Sequence, residues 1–508
     1  MTNEASGSKI ADNSTQDKET STLTSDKRKD GANHSPSQLA DFDTNHRVDH
    51  PLTRLLADFI HHVDDMRQAA TISLPAISRH FEEKITACFE VFKPYAEKEK
   101  VEDGKGVTIK ITLPDDMRLR VKVKAAINEF EHIRSTKMAK IVERSLFIGL
   151  FSEFDAFMGN MLKIIYKKQP ALLKSIRREV SLTDLLEFDS LDAVKQDMLD
   201  KEIDSFRRDS YIEQFSALEN KFSFKTLRKF PEWSEFVEIS QRRNLMTHNG
   251  GVVTEQYISV CARERCELKR DCIVGSQLGI GRDYYFRACH VLSLVAFMLI
   301  YTLWRKVLPS ETEDQNNSIQ SEVFAALQKK DWSLAVRMGE FSLAEEMCKG
   351  AEDIDIRIRN INLAIAYKNA DKKAEMMACL KSCDWTASIR DFKLAVEVLS
   401  DNFQSAADMM RQIGKSGELV RQDSYHDWPL FYGFVNHEEL KVAYREIYGH
   451  DFDAKREDES DAVTVDASGD NGMPLIIEEK EKVDESVQES EHGNAVKKTR
   501  RQRKKVQE

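Results

Sequence analysis

Glycine and proline are scarce. The chain of 508 residues has 20 Gly and 10 Pro, about half the usual combined share of roughly 12%. So few tight-turn residues argue against an all-β or collagen-like chain and for long uninterrupted helices. Cysteine is sparse as well. Eight thiols in 508 residues do not make a disulfide scaffold, and they fit reduced cysteines in a cytoplasmic setting. An excess of positive charge is missing. Lys and Arg number 75 against 86 Asp and Glu, a net charge of -11. Any nucleic-acid contact must therefore come from a local basic patch. No secretory signal opens the chain, because residues 1–50 are polar almost throughout. The longest apolar run is ACHVLSLVAFMLIYTLW at 288–304. A membrane span needs about 20 apolar residues. This run is shorter and holds His290, Ser293 and Thr302, so it reads as a buried or dimer-facing helix with no membrane partner.

What is present divides into five segments, a mainly α chain with a small β element. Residues 1–50 are a polar tail too poor in apolar groups to order itself. Residues 51–126 read as two amphipathic helices followed by a β-hairpin. Val107, Ile109, Ile111 and Leu113 alternate with polar residues, Pro114-Asp115-Asp116 supplies the turn, and Met117, Leu119, Val121 and Val123 alternate again. The opposite face of that hairpin would carry Lys110, Arg118, Arg120 and Lys122. Such a face can hold phosphates and is the candidate RNA contact, although a plain solvated face fits it too. Residues 127–308 are a helical bundle with an irregular or β-containing insert near 251–281. Residues 318–453 are a second helical unit. Asp331-Trp332-Ser333 with Arg337 is echoed by Asp384-Trp385-Thr386 with Arg390, which suits a helical-repeat-like domain that packs or binds a protein partner. Residues 454–508 are a tail that is first acidic and then basic, with KKTRRQRKK at 497–505.

One constellation can carry chemistry: QRRNLMTHNGG at 241–251. Arg243-x4-His248 alone carries no weight, since the same spacing recurs at Arg421/His426 and Arg445/His450. Its setting distinguishes it. The pair sits near the end of an amphipathic helix, Asn244 follows the Arg, and Gly250-Gly251 stops the helix. Asn244 and His248 are four apart and share a face. Histidine titrates near neutrality and serves as general acid or base. Arginine offers a planar, permanently charged fork suited to phosphate oxygens. Capping and packing would account for the same residues without chemistry.

On these residues the region 127–308 resembles a HEPN domain, the higher-eukaryote-and-prokaryote nucleotide-binding helical bundle. The likeness rests on the family's Arg-x(4-6)-His motif with a polar residue after the Arg, here Arg243-Asn244-x-x-x-His248. The long helix RSLFIGLFSEFDAFMGNML also resembles the family's earlier core helix, which often carries a polar or acidic residue. Asp155 or Glu153 would take that place. The resemblance implies a homodimer in which two motif helices meet and form one composite site. It further implies metal-independent RNA cleavage in which the 2′-OH attacks the adjacent phosphate, leaving a 2′,3′-cyclic phosphate and a 5′-OH. His248 would transfer protons, Arg243 would stabilise the phosphorane, and Asn244 would position the phosphate or the His. Family members commonly serve as toxins or defence effectors of prokaryotes. Others keep the bundle as a dimerisation and partner-binding scaffold without catalysis.

No cofactor or metal is expected. Cys261, Cys266 and Cys272, with Cys289-His290 downstream, lack the usual CxxC spacing of a zinc site. Gly279-Ile280-Gly281 lacks the rest of a dinucleotide fingerprint, and no P-loop, zincin or nucleophile-elbow motif occurs.

Overall fold

Two long helices form the centre of the protein, α3 (Met138–Lys168) and α9 (Arg282–Val307). The computed structural model describes residues 50–100 and 107–453, so the tails expected at 1–50 and 454–508 lie outside it apart from His50. In α3 the buried residues Phe147, Leu150, Phe151, Phe154, Phe157, Met158, Met161 and Ile165 recur at helical spacing and make one wide apolar stripe. In α9 every residue from Val291 to Tyr301 is buried. A helix that is apolar all round belongs inside a core. By length and composition α9 could cross a membrane, and 78% of its apolar window is buried within the protein.

The expected pair of helices after Pro51 is a single helix, α1 (Pro51–Phe92). Its first half docks on α3 and α9 through Leu52, Leu56, Phe59 and Val63. His50 caps it, accepting a hydrogen bond at Nδ1 from the Leu52 N–H at 3.2 Å, and stacks on Trp304 at 4.1 Å. Pro75 lies inside the helix. Pro removes one backbone donor, and it falls beyond Ala70, the last fully buried residue before Phe92. The outer half packs against α2 (Met117–Ser135).

That second helix corrects the expected hairpin. The antiparallel pair is β1 (Ala96–Lys100) with β2 (Val107–Ile111), in register Ala96↔Ile111. The second expected strand is helical. Asp116 caps α2 by accepting from the Leu119 N–H at 2.9 Å, and Met, Leu, Arg and Lys are all good helix formers. The alternation of 117–124 does not correspond to one buried face. Val123 is 2% exposed while Val121 is 61% exposed. Helical character from 127 onward is therefore split between α2 and α3, with the break at Thr136-Lys137.

Polar residues 181–221 form α4 (Leu182–Leu186), α5 (Leu191–Arg208) and α6 (Tyr211–Lys221). Ser210 and Glu213 make a reciprocal capping box at the start of α6. α7 (Trp233–His248) follows, and the insert after it contains a helix, α8 (Glu255–Arg263), plus one antiparallel bridge, Val252↔Gln277.

The C-terminal half begins with α10 (Thr312–Gln328), α11 (Trp332–Ser342), α12 (Glu345–Cys348), α13 (Asp353–Asn369) and α14 (Lys373–Lys381). It ends with α15 (Arg390–Leu399), α16 (Phe403–Ile413), α17 (Ser424–Asp427) and α18 (Glu438–Tyr448). One apolar core runs from Leu52 to Tyr444, so packing crosses the segment near 309–317. Thr53 Oγ1 donates to Ser318 Oγ at 2.8 Å and ties α1 to α10. The Asp-Trp echo has two different local structures. Asp331 caps α11, whereas Asp384 holds a turn by accepting from the Thr386 N–H, ahead of α15.

Candidate functional site

α7 is fixed on its inner face by Phe236, Val237 and Ile239, all buried. Beside them, Glu238 is 7% exposed and is the hub of a polar network. It accepts from Tyr257 Oη at 2.6 Å and Tyr284 Oη at 2.8 Å, and it pairs with Arg242 at 2.7 Å. Arg242 lies over the Tyr284 ring at 4.0 Å. Burial and the neighbouring carboxylate push both tyrosine hydroxyls up, so they stay protonated and donate. This network ties α7 to α8 and α9, and in the last turn of α7 Leu245 and Met246 are buried while Thr247 and His248 are exposed.

The helix ends as the two glycines require. Asn249 N–H and Gly251 N–H both donate to Leu245 O, at 2.8 and 3.0 Å. Gly250 and Gly251 have φ of 58° and 88°, in the left-handed region. At Gly251 a Cβ would also lie 2.7 Å from Leu278 O, a backbone atom that cannot swing away. The chain thus turns sharply after His248 and returns through the Val252↔Gln277 bridge.

Arg243 points from α7 to α3. Its Nη2 donates to Asp155 Oδ2 at 3.5 Å, and its Nη1 donates to Asn244 Oδ1 at 3.2 Å. The guanidinium lies 5.7 Å from the Phe151 ring. Its Nε is buried and has no hydrogen-bond partner. Asp155 also accepts from Tyr211 Oη at 2.6 Å. Burial pushes the Asp155 carboxyl above its ordinary value, and the Tyr211 hydroxyl, Arg243 and Arg207 offset this only in part. Of the two acidic residues, Asp155 is the one that contacts Arg243. Glu153 faces elsewhere, with an oxygen 3.5 Å from His62 Nδ1.

His248 and Thr247 are exposed, and Asn244 is half-buried. His248 is five residues from Arg243, about 140° around the helix. Within one chain the two do not converge on a common point, while Asn244 shares the row of His248 and touches Arg243. The basic set is dispersed. Lys110 is on β2, and Arg118, Arg120 and Lys122 are on α2, with Arg120 half-buried and the others exposed. No common sheet face joins them, because residues 117–124 are helical.

Tyr211, Phe151 and Arg207 belong to the site and carried no sequence signal, since they come from helices distant in the chain. A separate cavity of about 440 Å3 carries no sequence motif. It lies between α1, α9, α10 and α11 and is lined by Arg67, His290, Ser293 and Asp331 among others. Among the described residues no group of three or more His, Cys, Asp or Glu is placed to hold a metal ion. Cys261 belongs to the small core beside α8, with Cys266 and Cys272 packed against it. No protein-family model matches this chain, and neither a curated protein nor a solved structure matches it.

Proposed function

We propose that the protein is a metal-independent endoribonuclease-type effector of a prokaryotic defence or toxin system, working as a homodimer in the cytoplasm. The observation that carries this reading is the end of α7. It brings together a braced arginine whose buried Nε–H has no partner, a half-buried Asn244 against it, and an exposed His248 one turn beyond Asn244. In the proposed reaction His248 moves a proton between the ribose hydroxyl, the leaving oxygen and water. Arg243 places its positive charge beside the phosphorane, whose charge exceeds that of the ground state. Asp155 and Tyr211 hold the guanidinium in place and are positioning residues. The separation of Arg243 and His248 around α7 fits a cleft completed by a second copy. The resemblance of 241–251 to the HEPN motif supports the same reading.

A second reading has its own observation. Arg243 is already paired with Asp155, so the site is electrostatically satisfied without substrate. On that reading the bundle is a dimerising, partner-binding scaffold and cleaves nothing. Incubating RNA with the full chain in EDTA separates the two. Cleavage that persists in EDTA and is lost in His248→Ala supports the enzyme. No cleavage by a folded dimer, or equal cleavage by both proteins, supports the scaffold.

A further inference from the structure

The cavity between α1, α9, α10 and α11 has a volume of about 440 Å3, within the range of small-molecule sites. Its walls come from helices distant in the chain. α1 contributes Val63, α9 Phe286, α10 Ala326, and α11 Leu334 and Met338. All of these but Phe286 are buried, so the deep part of the cavity is apolar. Two polar groups of α9 open into it. Ser293 is 4% exposed, and His290 lies one turn before it. Among the described residues neither the hydroxyl nor the imidazole forms a hydrogen bond. Neither is sealed in by packing, because the space beside both is the cavity. Burial lowers the pKa of His290, so the ring is neutral at pH 7. A neutral imidazole offers one N–H donor and one acceptor nitrogen, and a hydroxyl can do either.

Charged side chains also line the cavity, and they are committed to one another. Arg67 pairs with Asp64 at 2.5 Å and with Asp331 at 3.4 Å, and Lys329 pairs with Asp64 at 3.4 Å. Arg287 pairs with Glu235, and Glu322 is engaged as well. A charged ligand would give up its hydration here and meet no unpaired opposite charge. A wholly apolar ligand would shut the Ser293 hydroxyl and the His290 ring away from water without a partner. The lining matches a neutral molecule with an apolar body and one edge that both donates and accepts.

We propose that this cavity binds a small neutral nitrogen heterocycle, of the azole or lactam class, whose N–H and acceptor atom meet Ser293 and His290 while its ring lies among Val63, Leu334 and Met338. The occupant touches α1 and α9 on one side and α10 and α11 on the other, so it adds to the packing that joins the two halves of the chain. A ligand that binds only the folded protein raises its melting temperature. The site is independent of the end of α7 and of the reaction proposed there.

The test is a titration of the full chain at about pH 8, read by calorimetry and by melting temperature. Benzimidazole is the probe, being neutral at that pH with one N–H and one acceptor nitrogen. Indene has its shape without the polar edge, and benzoate and benzamidinium carry charge on a similar ring. Benzimidazole is expected to bind roughly tenfold tighter than indene, the worth of one or two hydrogen bonds, and tighter than either ion. Ser293→Ala, checked for an intact thermal transition, is expected to weaken benzimidazole about fivefold and leave indene unchanged. If that variant does not fold, His290→Phe keeps a ring and loses both nitrogens, and a similar loss is expected. Absence of binding heat and of any rise in melting temperature, up to the solubility limit of benzimidazole, overturns the proposal and leaves water as the partner of Ser293 and His290. So does equal binding of indene, tighter binding of either ion, or an unchanged benzimidazole affinity in a folded variant.

Discussion

Arg243 is held at one end by Asp155 and free at Nε, and this division defines the site at the residue scale. Removing the brace is expected to cost stability as well as position. Asp155→Ala leaves the Tyr211 hydroxyl and the guanidinium without their acceptor, a loss of about 1–3 kcal/mol for groups this buried. Denaturant unfolding checks it, and a change below about 0.5 kcal/mol contradicts the bracing role. A second expectation concerns pH. Burial is the largest influence on His50 and His290, and it lowers both below the ordinary value. Folded, they resist protonation; unfolded, they take a proton near pH 6.5. The unfolded chain therefore binds more protons as pH falls through about 6.5, so stability is full above that pH and declines below it. Melting temperature should drop between about pH 7.5 and 5.5, and His290→Gln should flatten the drop. An unaltered slope in that variant would show that His290 is not the titrating group. Much of the α7 end was legible in the sequence, because Arg243, Asn244, His248 and the glycines are close in the chain. Asp155 was legible only as one of two acidic residues. Tyr211 was not, since only tertiary packing brings it to Asp155.

Among the elements, α7 and α9 followed from periodicity and from the breakers around them. α2 did not. An alternating Met-Arg-Leu-Arg-Val-Lys-Val-Lys stretch satisfies the strand pattern, yet its residues are equally content in a helix. What decides is the neighbouring surface. Phe92 and Phe130 meet at 5.3 Å, and α2 buries Val123 and Ile133 as it lies along α1. A pair of substitutions distinguishes the two conformations. In a strand, residues 121 and 123 share a face and respond alike. In the helix, Val121→Asp should change stability by less than about 0.5 kcal/mol, while Val123→Asp should cost more than about 2 kcal/mol by burying a charge. Equal effects would restore the strand. The basic residues on α2 are correspondingly a helix surface, so any RNA contact there is a matter of phosphate spacing along a helix.

For the whole molecule, the absence of a core boundary matters most. Expected segments 127–308 and 318–453 share one apolar core, in which Leu292, Leu299, Leu327 and Leu334 belong to the same cluster. Composition could not reveal this, because a helical connection across 309–317 reads like any other polar junction. A chain truncated after residue 308 exposes the faces of α9 that α10 and α11 cover, and it is expected to lose its cooperative thermal transition. A truncated form that melts sharply near the full chain would show two independent units instead. The α7 end is also tied to this core through Glu238, Tyr257 and Tyr284, so its geometry depends on the intact fold.

The central claim is that the end of α7 cleaves RNA without a metal, and the chemistry of the product ends tests it most directly. RNA incubated in EDTA with the full chain is predicted to yield fragments ending in 2′,3′-cyclic phosphate and beginning with 5′-OH, none of them formed by His248→Ala. Fragments with 3′-OH and 5′-phosphate ends that require added magnesium, or cyclic-phosphate fragments formed equally by the variant, would contradict it.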